Sequence, residues 1–331
     1  MSESLRLNRR TVLKGITAGF AGLSLPISTR ALTPERKPGK LTIGLITDLH
    51  HGKGVPDADA RLDVYLQAVA DRGDVDMLMQ LGDFCNPVDN ARDLCKRFNA
   101  FDGPKLHVLG NHDMDFGSKE QIMDYWGMPA RYGSTDIGGY HFVTLDRNNI
   151  KSDNKFVPYK NANFYIDRAM RAWADDEQLE WLAADLARTD LPTIVLTHQA
   201  LGMSKGGTED AGERVASIMK IMEKANRDAG WTKVQACFCG HSHADRALVH
   251  EGIHYILFNS ASYKWYGEPV RYKDTLYAFV TLDPAGTLTV EGRETTWEDP
   301  TPKQRGLEGE FPNPAISNRE FKTRAANSAG Q

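Results

Sequence analysis

The chain has 331 residues, of which 41% are hydrophobic and 25% are charged, and its formal net charge is −4. A chain of this length and composition can bury a substantial core, which excludes an intrinsically disordered protein. The acidic balance argues against general binding to nucleic-acid polymers, because such binding normally requires a basic surface.

The first 31 residues have the pattern of an export signal. Arg9 and Arg10 precede a mildly apolar stretch, residues 15–27, which is too short to span a bilayer and is interrupted by Pro26. The pattern resembles a twin-arginine signal, which implies the twin-arginine export machinery as a partner, a periplasmic or secreted location and no stable membrane anchor. An ordinary basic N-terminus is the alternative. Cleavage near Ala31 would change the net charge from −4 to −8.

The chain contains four cysteines: Cys85, Cys95, Cys237 and Cys239. The last two are two positions apart in an apolar run, so both lie on one face of a strand, where the geometry for a mutual disulfide is poor. We expect buried free thiols, with a disulfide framework as the alternative.

After a proline-rich joint at residues 34–40, apolar runs that predict strands alternate with patterns that predict helices. The predicted strands are Leu41–Ile46, Met77–Leu81, Leu106–Leu109, Tyr140–Leu145, Thr193–Leu196, Val234–Cys239, Tyr255–Phe258 and Leu276–Leu282. The predicted helices are Asp57–Asp71, Asp89–Asn99, Ser118–Trp126, Asp175–Ala187 and Ala211–Ala229. This order predicts an α/β fold in which a second, mixed sheet stacks on the first.

Two segments depart from this alternation. Residues 148–173 are rich in basic and aromatic side chains, which form either a rim that stacks a base and neutralises phosphate or a solvated loop. Residues 299–331 are rich in proline, asparagine and glycine. We expect them to form an extended or disordered tail, which Phe311 and Phe321 could anchor locally.

Five short polar blocks follow predicted strands. They are Asp48-Leu49-His50, Gly82-Asp83, Gly110-Asn111-His112-Asp113, Thr197-His198 and Gly240-His241-Ser242-His243. Core packing does not require carboxylates, imidazoles and a carboxamide at strand ends, whereas a pair of metal ions does. Ligand groups in such sheets collect beyond the carboxyl ends of the strands, where four of the five blocks fall. The pattern therefore predicts a two-metal hydrolase.

Seven side chains in these blocks are predicted metal ligands: Asp48, His50, Asp83, Asn111, His198, His241 and His243. Asp48, His50 and His243 would converge on one ion, and His198 and His241 would supply imidazoles to the second. Asp83 could bridge both ions through its two oxygens. This arrangement leaves positions open for a bridging water, which the ions would activate as a hydroxide, and for substrate.

His112 is next to Asn111 but cannot easily reach the same ion, so we predict that it protonates the leaving oxygen or stabilises the charge there. A structural histidine is the alternative. Asp113 could orient that imidazole and keep it protonated. Because neighbouring strand residues point in opposite directions, His51 is expected to support the site or to contact substrate. Structural roles are expected for the remaining histidines: His107, His141, His250 and His254.

The five blocks, in this order, resemble the calcineurin-like metallophosphoesterase superfamily over about residues 41–281. The resemblance implies a four-layer α/β/β/α sandwich of two mixed sheets flanked by helices, with its domain at residues 40–298. It also implies a dinuclear manganese, iron or zinc centre that hydrolyses a small phosphomonoester or phosphodiester through a metal-bridging hydroxide. The alternatives are a nucleotide phosphohydrolase that acts on a cyclic phosphate or pyrophosphate bond, and a metal-binding scaffold without turnover.

Departures from the family pattern reduce the range of candidate substrates. Asn86 stands where purple acid phosphatases place a tyrosine, and the segment after Asp83 lacks the arginine-bearing sequence of serine/threonine protein phosphatases. A phosphoprotein is therefore a poor candidate substrate. Specificity is expected to come from a rim formed by residues 148–173 and 263–266.

Overall fold

The computed structural model describes residues 28–29, 39–153, 155–203 and 212–323. The predicted export signal lies outside these residues except for Ser28–Thr29, and so do residues 324–331 of the predicted tail. In the part of the chain that is described, no helix combines the length and the apolarity that crossing a membrane would require.

The strands are β1 (Ser28–Thr29), β2 (Leu41–Ile46), β3 (Met77–Gln80), β4 (Lys105–His107), β5 (Gly133–Ile137), β6 (Tyr140–Thr144), β7 (Asn149–Ser152), β8 (Lys155–Pro158), β9 (Thr193–Leu196), β10 (Val234–Cys239), β11 (Arg246–His250), β12 (Ile253–Leu257), β13 (Tyr263–Trp265), β14 (Pro269–Arg271), β15 (Ala278–Asp283), β16 (Thr287–Glu291) and β17 (Arg319–Lys322). The helices are α1 (Ala58–Arg72), α2 (Ala91–Asn99), α3 (Lys119–Trp126), α4 (Asp176–Arg188) and α5 (Glu213–Ala229). Single 3₁₀ turns occur at His112–Met114 and Arg168–Met170.

The strands form two large mixed sheets. A six-stranded sheet has the order β17-β16-β15-β2-β3-β4, with β2, β3 and β4 parallel to one another. A seven-stranded sheet has the order β1-β5-β6-β9-β10-β12-β11, with β6, β9, β10 and β12 parallel. The hairpins β7-β8 and β13-β14 stand apart from both sheets.

Alternating side chains divide the core into three apolar layers. In β9, Ile194 and Leu196 face the six-stranded sheet, whereas Val195 faces α4 and α5. In β2, Leu45 belongs to the layer between the sheets and Ile46 to the layer under α1, α2 and α3. Because strand side chains alternate between faces, each sheet carries helices on one side and the other sheet on its second side. The predicted four-layer α/β/β/α sandwich is confirmed.

Helix starts agree with the sequence signals. Ser118 caps α3 with a reciprocal capping box to Gln121, and the Asp175 carboxylate caps α4 by accepting from the Gln178 N–H. The five helices lie where they were predicted, with ends that differ by at most two residues. Ala211, the predicted first residue of α5, lies outside the described residues.

The ends of several strands differ from prediction. Strand β4 ends at His107 rather than at Leu109, because side chains replace a strand partner there. Gln80 donates to the carbonyl of Val108 and Asn148 donates to that of Leu109. In the predicted tail, Arg319–Lys322 pairs with β16 at the edge of the six-stranded sheet.

All four cysteines are buried and free, as expected. The Sγ atoms of Cys237 and Cys239 are 3.8 Å apart on the face of β10 that packs against α4 and α5. Those of Cys85 and Cys95 are 3.6 Å apart.

Candidate metal centre

The seven predicted ligands meet at one edge of the sandwich. Asp48 and His50 follow β2, Asp83 and Asn111 follow β3 and β4, His198 follows β9, and His241 and His243 follow β10. All these strands are parallel within their sheets, so their carboxyl ends share an edge. The loops also pair through the backbone: the Asp48 N–H donates to the Gly82 carbonyl at 3.0 Å.

Asp48, His50 and His243 form one group of candidate ligands. The Nε2 atom of His243 lies 3.2 Å from Asp48 Oδ1 and 3.0 Å from Nε2 of His50. All three side chains are buried. One ion at the centre of this group could contact a carboxylate and two imidazoles, which is a common donor set for manganese, iron and zinc.

Asp83, His198 and His241 form the second group. Asp83 Oδ2 lies 3.0 Å from His198 Nε2, which is 3.3 Å from His241 Nδ1. The two groups are adjacent, because Asp48 Oδ1 is 4.0 Å from His198 Nε2.

Hydrogen bonds determine which ring nitrogen of His198 and of His243 faces its ligand group. The Nδ1 atom of His198 is 2.8 Å from the Leu81 carbonyl, and that of His243 is 2.7 Å from the Tyr263 carbonyl. A carbonyl oxygen only accepts, so each Nδ1 carries the proton and each Nε2 has a free lone pair in the neutral ring. The lone pairs face the two ligand groups, and such carbonyl partners are usual behind metal-binding histidines.

Asn111 provides an independent test of whether a metal fits. Its side chain is 6% exposed, and among the described residues its Oδ1 atom has no hydrogen-bond partner. A buried carbonyl oxygen without a partner is costly unless another group occupies its lone pairs. Its unpaired oxygen therefore suits a metal ligand, and the donor chemistry of the two groups agrees with this assignment.

The backbone at the site is unusual. Five of the candidate ligands have φ angles between 44° and 72°, a left-handed conformation that residues other than glycine rarely adopt: Asp48, His50, Asp83, His241 and His243. Strain of this kind persists where the surrounding structure holds it, and it concentrates at functional sites.

The electrostatics favour ionised carboxylates. Burial opposes the charge on Asp48, but the His198 and His243 imidazoles lower its pKa to about 2. Burial likewise opposes the charge on Asp83, yet His198 and His112 hold its pKa well below the usual range. Metal ligation requires deprotonated carboxylates, so both side chains are in the form that binds a cation.

His112 lies at the mouth of this centre. Its backbone N–H donates to Asp83 Oδ1 at 2.6 Å, and its imidazole packs edge-on against the Phe164 ring. The side chain is 22% exposed, so the ring can meet a substrate.

Asp113 does not orient His112 as we expected. Its carboxylate is fully buried and accepts hydrogen bonds from the backbone N–H groups of Phe84, Cys85 and Gly110. Burial and the neighbouring Asp83 raise the pKa of Asp113 to about 8. Asp113 therefore ties the loop after β4 to the loop after β3, and it is Asp115 whose carboxylate lies 2.9 Å from Nδ1 of His112.

A cleft of about 500 Å³ opens over the candidate ligands. Tyr159 and Phe164 are buried beside it, whereas Tyr165 and Trp265 are each 61% exposed on its rim. Three cationic side chains also line it: Lys53, Arg168 and Arg171. Part of the 148–173 insertion thus borders the site, while Lys151 instead packs on the Phe156 and Trp173 rings.

The other histidines lie away from the ligand groups. His51 is buried and pairs with Asp59 at 3.2 Å, so it contacts neither group. His107 stacks on Trp126, and His141 lies between Asp136 and Asp185. The structural roles expected for these last two are consistent with their contacts.

Sequence reasoning missed Lys53, Asp115 and Gln199, all beside the site. Lys53 lies three residues after His50, and Asp115 lies three residues after His112. Asp115 meets His112 because the single helical turn after Asn111 brings residues three apart onto one face, and one turn is too short to show a period in the sequence. Gln199 lines the cleft and donates to Asn148 Oδ1, and nothing in its sequence context distinguishes it.

An α/β/β/α sandwich with two adjacent metal-ligand groups at the carboxyl ends of its strands defines a metal-dependent hydrolase. The chain belongs to the calcineurin-like phosphoesterase family, whose model matches residues 41–245. It is therefore a phosphoric ester hydrolase.

Three relatives illustrate the likeness. A manganese-dependent ADP-ribose/CDP-alcohol diphosphatase from Arabidopsis thaliana is 24% identical over 226 residues, covering 55% of this chain and 70% of the relative. A dimetal phosphatase from Danio rerio has a similar fold, with a TM-score of 0.54 and 16% identity over 77% of this chain and 96% of its own. GAP50 of Plasmodium, the anchor in the inner membrane complex, has a TM-score of 0.51 and 13% identity over 86% of this chain and 90% of its own.

Proposed function

We propose that this protein hydrolyses a phosphomonoester or phosphodiester of a small molecule at a two-metal centre. The observation that carries the proposal is the pair of adjacent ligand groups under an open cleft. Asp48, His50 and His243 would hold one ion, and His198, His241 and Asn111 the other, with Asp83 shared. Bound metal ions supply a hydroxide nucleophile at neutral pH and neutralise charge on phosphoryl oxygens. Manganese is the first metal to test, since the plant relative is manganese-dependent.

The residues of this chain would divide the remaining work. Phosphorus gains a bond to the hydroxide oxygen and loses its bond to the leaving oxygen, which takes the departing electron pair. His112 would donate a proton to that oxygen or stabilise its charge, because the ring lies at the cleft beside Asn111. Arg168 and Arg171 would attract the anionic substrate, which the acidic chain as a whole does not.

The pyrophosphate bond of a nucleotide is a second candidate substrate. The cleft extends from the ligand groups to two exposed aromatic rings, Tyr165 and Trp265, and two arginines, Arg168 and Arg171, also line it. Exposed rings can stack a base, and separate cations can hold a second phosphate. The plant relative's name as an ADP-ribose/CDP-alcohol diphosphatase supports the same class.

Hydrolysis assays on the metal-loaded protein test this proposal. With Mn²⁺ added, wild type and His112→Ala would be compared on bis-p-nitrophenyl phosphate, p-nitrophenyl phosphate, phenyl phosphate, whose leaving group is poor, and a nucleoside diphosphate sugar. We expect turnover of at least one substrate, and a loss of about 10²-fold or more in the variant on substrates with poor leaving groups. If two metals are bound and none of these substrates reacts, the proposal fails.

We also propose export through the twin-arginine pathway to the periplasm or the medium. The support is the Arg9-Arg10 pair before the mildly apolar residues 15–27. Cell fractionation of the Arg9→Lys/Arg10→Lys double variant tests it, because retention of wild type and variant in the same compartment would contradict export by this route.

A further inference from the structure

Three polar groups meet behind the His112 ring. Asp115 Oδ2 lies 2.9 Å from Nδ1 of His112, and the Lys53 ammonium contacts the same carboxylate oxygen. Lys53 Nζ is also 2.5 Å from His112 Nδ1 and 2.8 Å from the Tyr165 hydroxyl. None of the seven candidate ligands takes part in this cluster.

Asp115 is buried, with only 4% of its side chain exposed. Both of its described contacts involve Oδ2, and among the described residues Oδ1 has no hydrogen-bond partner. A buried carboxylate is costly unless it is paired. Lys53 supplies the charge partner, and the His112 imidazole lies within hydrogen-bond distance of the same oxygen.

We propose that Asp115 is the positioning residue for His112, a role that rests on the proposed function of that histidine. A carboxylate only accepts and an ammonium only donates, so Oδ2 accepts from Lys53, and it also accepts from His112 when Nδ1 carries a proton. An unprotonated Nδ1 would instead accept from the Lys53 ammonium, which is 2.5 Å away. A hydrogen bond at Nδ1 fixes the ring and turns Nε2 away from Asp115, where it delivers its proton to the leaving oxygen of the substrate. The Phe164 ring, 5.5 Å from that of His112, packs against it from the side.

Lys53 extends this role to the rim of the cleft. Its ammonium joins Asp115 to the Tyr165 hydroxyl, and it lies 5.5 Å from the centre of the Tyr165 ring. Lys53 comes from the loop after β2, Asp115 from the turn after β4, and Tyr165 from the 148–173 insertion. The cluster therefore couples the insertion to the orientation of the acid.

Leaving-group dependence tests the proposal. Asp115→Asn, His112→Ala and the double variant would be assayed, manganese-loaded and full-length, on phenyl and p-nitrophenyl esters of the same phosphate. Phenolate needs a proton to leave, whereas p-nitrophenolate hardly does. We expect Asp115→Asn to lower kcat on the phenyl ester by about tenfold. We expect little change in KM on either ester and little change in kcat on the nitrophenyl ester. Adding Asp115→Asn to His112→Ala should cause no further loss of kcat.

A matched control is Asp124→Asn, which removes a carboxylate that is 67% exposed and pairs with Arg92 on the surface. It should behave as wild type. Equal losses on both esters, or losses that multiply in the double variant, would overturn the role of Asp115 while leaving the proposed function intact. A His112→Ala variant as active as wild type on the phenyl ester would overturn both.

The metal content and the melting temperature of every variant distinguish misfolding from lost positioning. Lys53→Met serves as a second variant that leaves Asp115 in place. It should show the same leaving-group dependence with a smaller loss.

Discussion

Gly110 has almost no free space around it. A Cβ atom at this position would lie 2.0 Å from the backbone nitrogen of Asp83 and 2.2 Å from its Oδ1 atom. Both atoms belong to the loop that presents a candidate ligand to both ions, so the loop has to move if a side chain is added. Gly110 is thus required by close approach of two loops rather than by its own backbone angles.

Gly110→Ala should therefore lower metal content and activity by roughly tenfold or more. It should also destabilise the fold by about 1–3 kcal/mol, the usual cost of an overpacked core. Metal analysis and thermal unfolding measure the two effects. Gly39→Ala is the control, because no other described residue beyond its chain neighbours places an atom within 4 Å of the added Cβ there. Equal metal content in the two variants would show that the contact is unimportant.

The grouping of the candidate ligands was predictable from the sequence, and the residue that pairs with His112 was not. Each ligand follows an apolar strand, and that order along the chain is visible in the residues themselves. The partner depends on a 3₁₀ turn at His112–Met114, in which side chains three residues apart eclipse. Asp115 therefore faces His112 while Asp113 points into the core, and the period of three is not evident from the sequence of a single turn.

A buried ion-pair cluster joins β5, β6 and α4. The His141 imidazole lies 2.6 Å from Asp136 and 2.9 Å from Asp185. Burial would lower the pKa of His141, but the hydrogen bonds to Asp185 and Asp136 raise it above its ordinary value. Protonated His141 thus stabilises the fold.

The sign of this effect sets a pH dependence. The stabilisation is complete below the unfolded pKa of about 6.5 and is lost as the pH rises through the raised pKa of the folded state. The free energy of unfolding of wild type should exceed that of His141→Gln by about 1.5–3 kcal/mol near pH 6, where the difference is largest. The difference should be smaller at pH 9. Melting curves across this range measure the margin. His250→Gln, at a histidine that is 52% exposed, is the control, and a margin that grows with pH would contradict the assignment.

Strands with continuous apolar runs were predictable, and polar strands at or next to a sheet edge were not. The sequence of β5 is Gly-Ser-Thr-Asp-Ile, and β11 is mostly exposed at the sheet edge. Their pairing depends on β6 and β12, which lie beside them in the folded sheet. Polar strands at or next to a sheet edge have little apolar pattern of their own, so only tertiary context defines them.

The candidate metal centre draws its residues from both sheets of the molecule. Asp48, His50, Asp83 and Asn111 come from the six-stranded sheet, whereas His198, His241 and His243 come from the seven-stranded sheet. Ions bound there would hold the sheets together at one edge and offset the repulsion between Asp48 and Asp83. Metal binding to the folded state should therefore stabilise the whole domain.

Removal of metal should lower the melting temperature. At a metal concentration one hundred times the dissociation constant, binding contributes about 2.7 kcal/mol, which corresponds to a shift of about 5 °C in a domain of this size. Calorimetry before and after chelation, with Mn²⁺ added back, measures the shift. Asp83→Asn should show little response to Mn²⁺, and an equal response in both proteins would place the stabilising ion elsewhere.

The long separation between ligands also fixes when during biosynthesis the centre can exist. His50 and His243 are 193 residues apart, yet their Nε2 atoms lie 3.0 Å from each other. A ribosome must therefore complete β10 and the loop after it before a nascent chain can offer both imidazoles to one ion. The candidate centre would therefore be completed only late in synthesis, and a prematurely terminated product that ends before His243 would lack one of its residues.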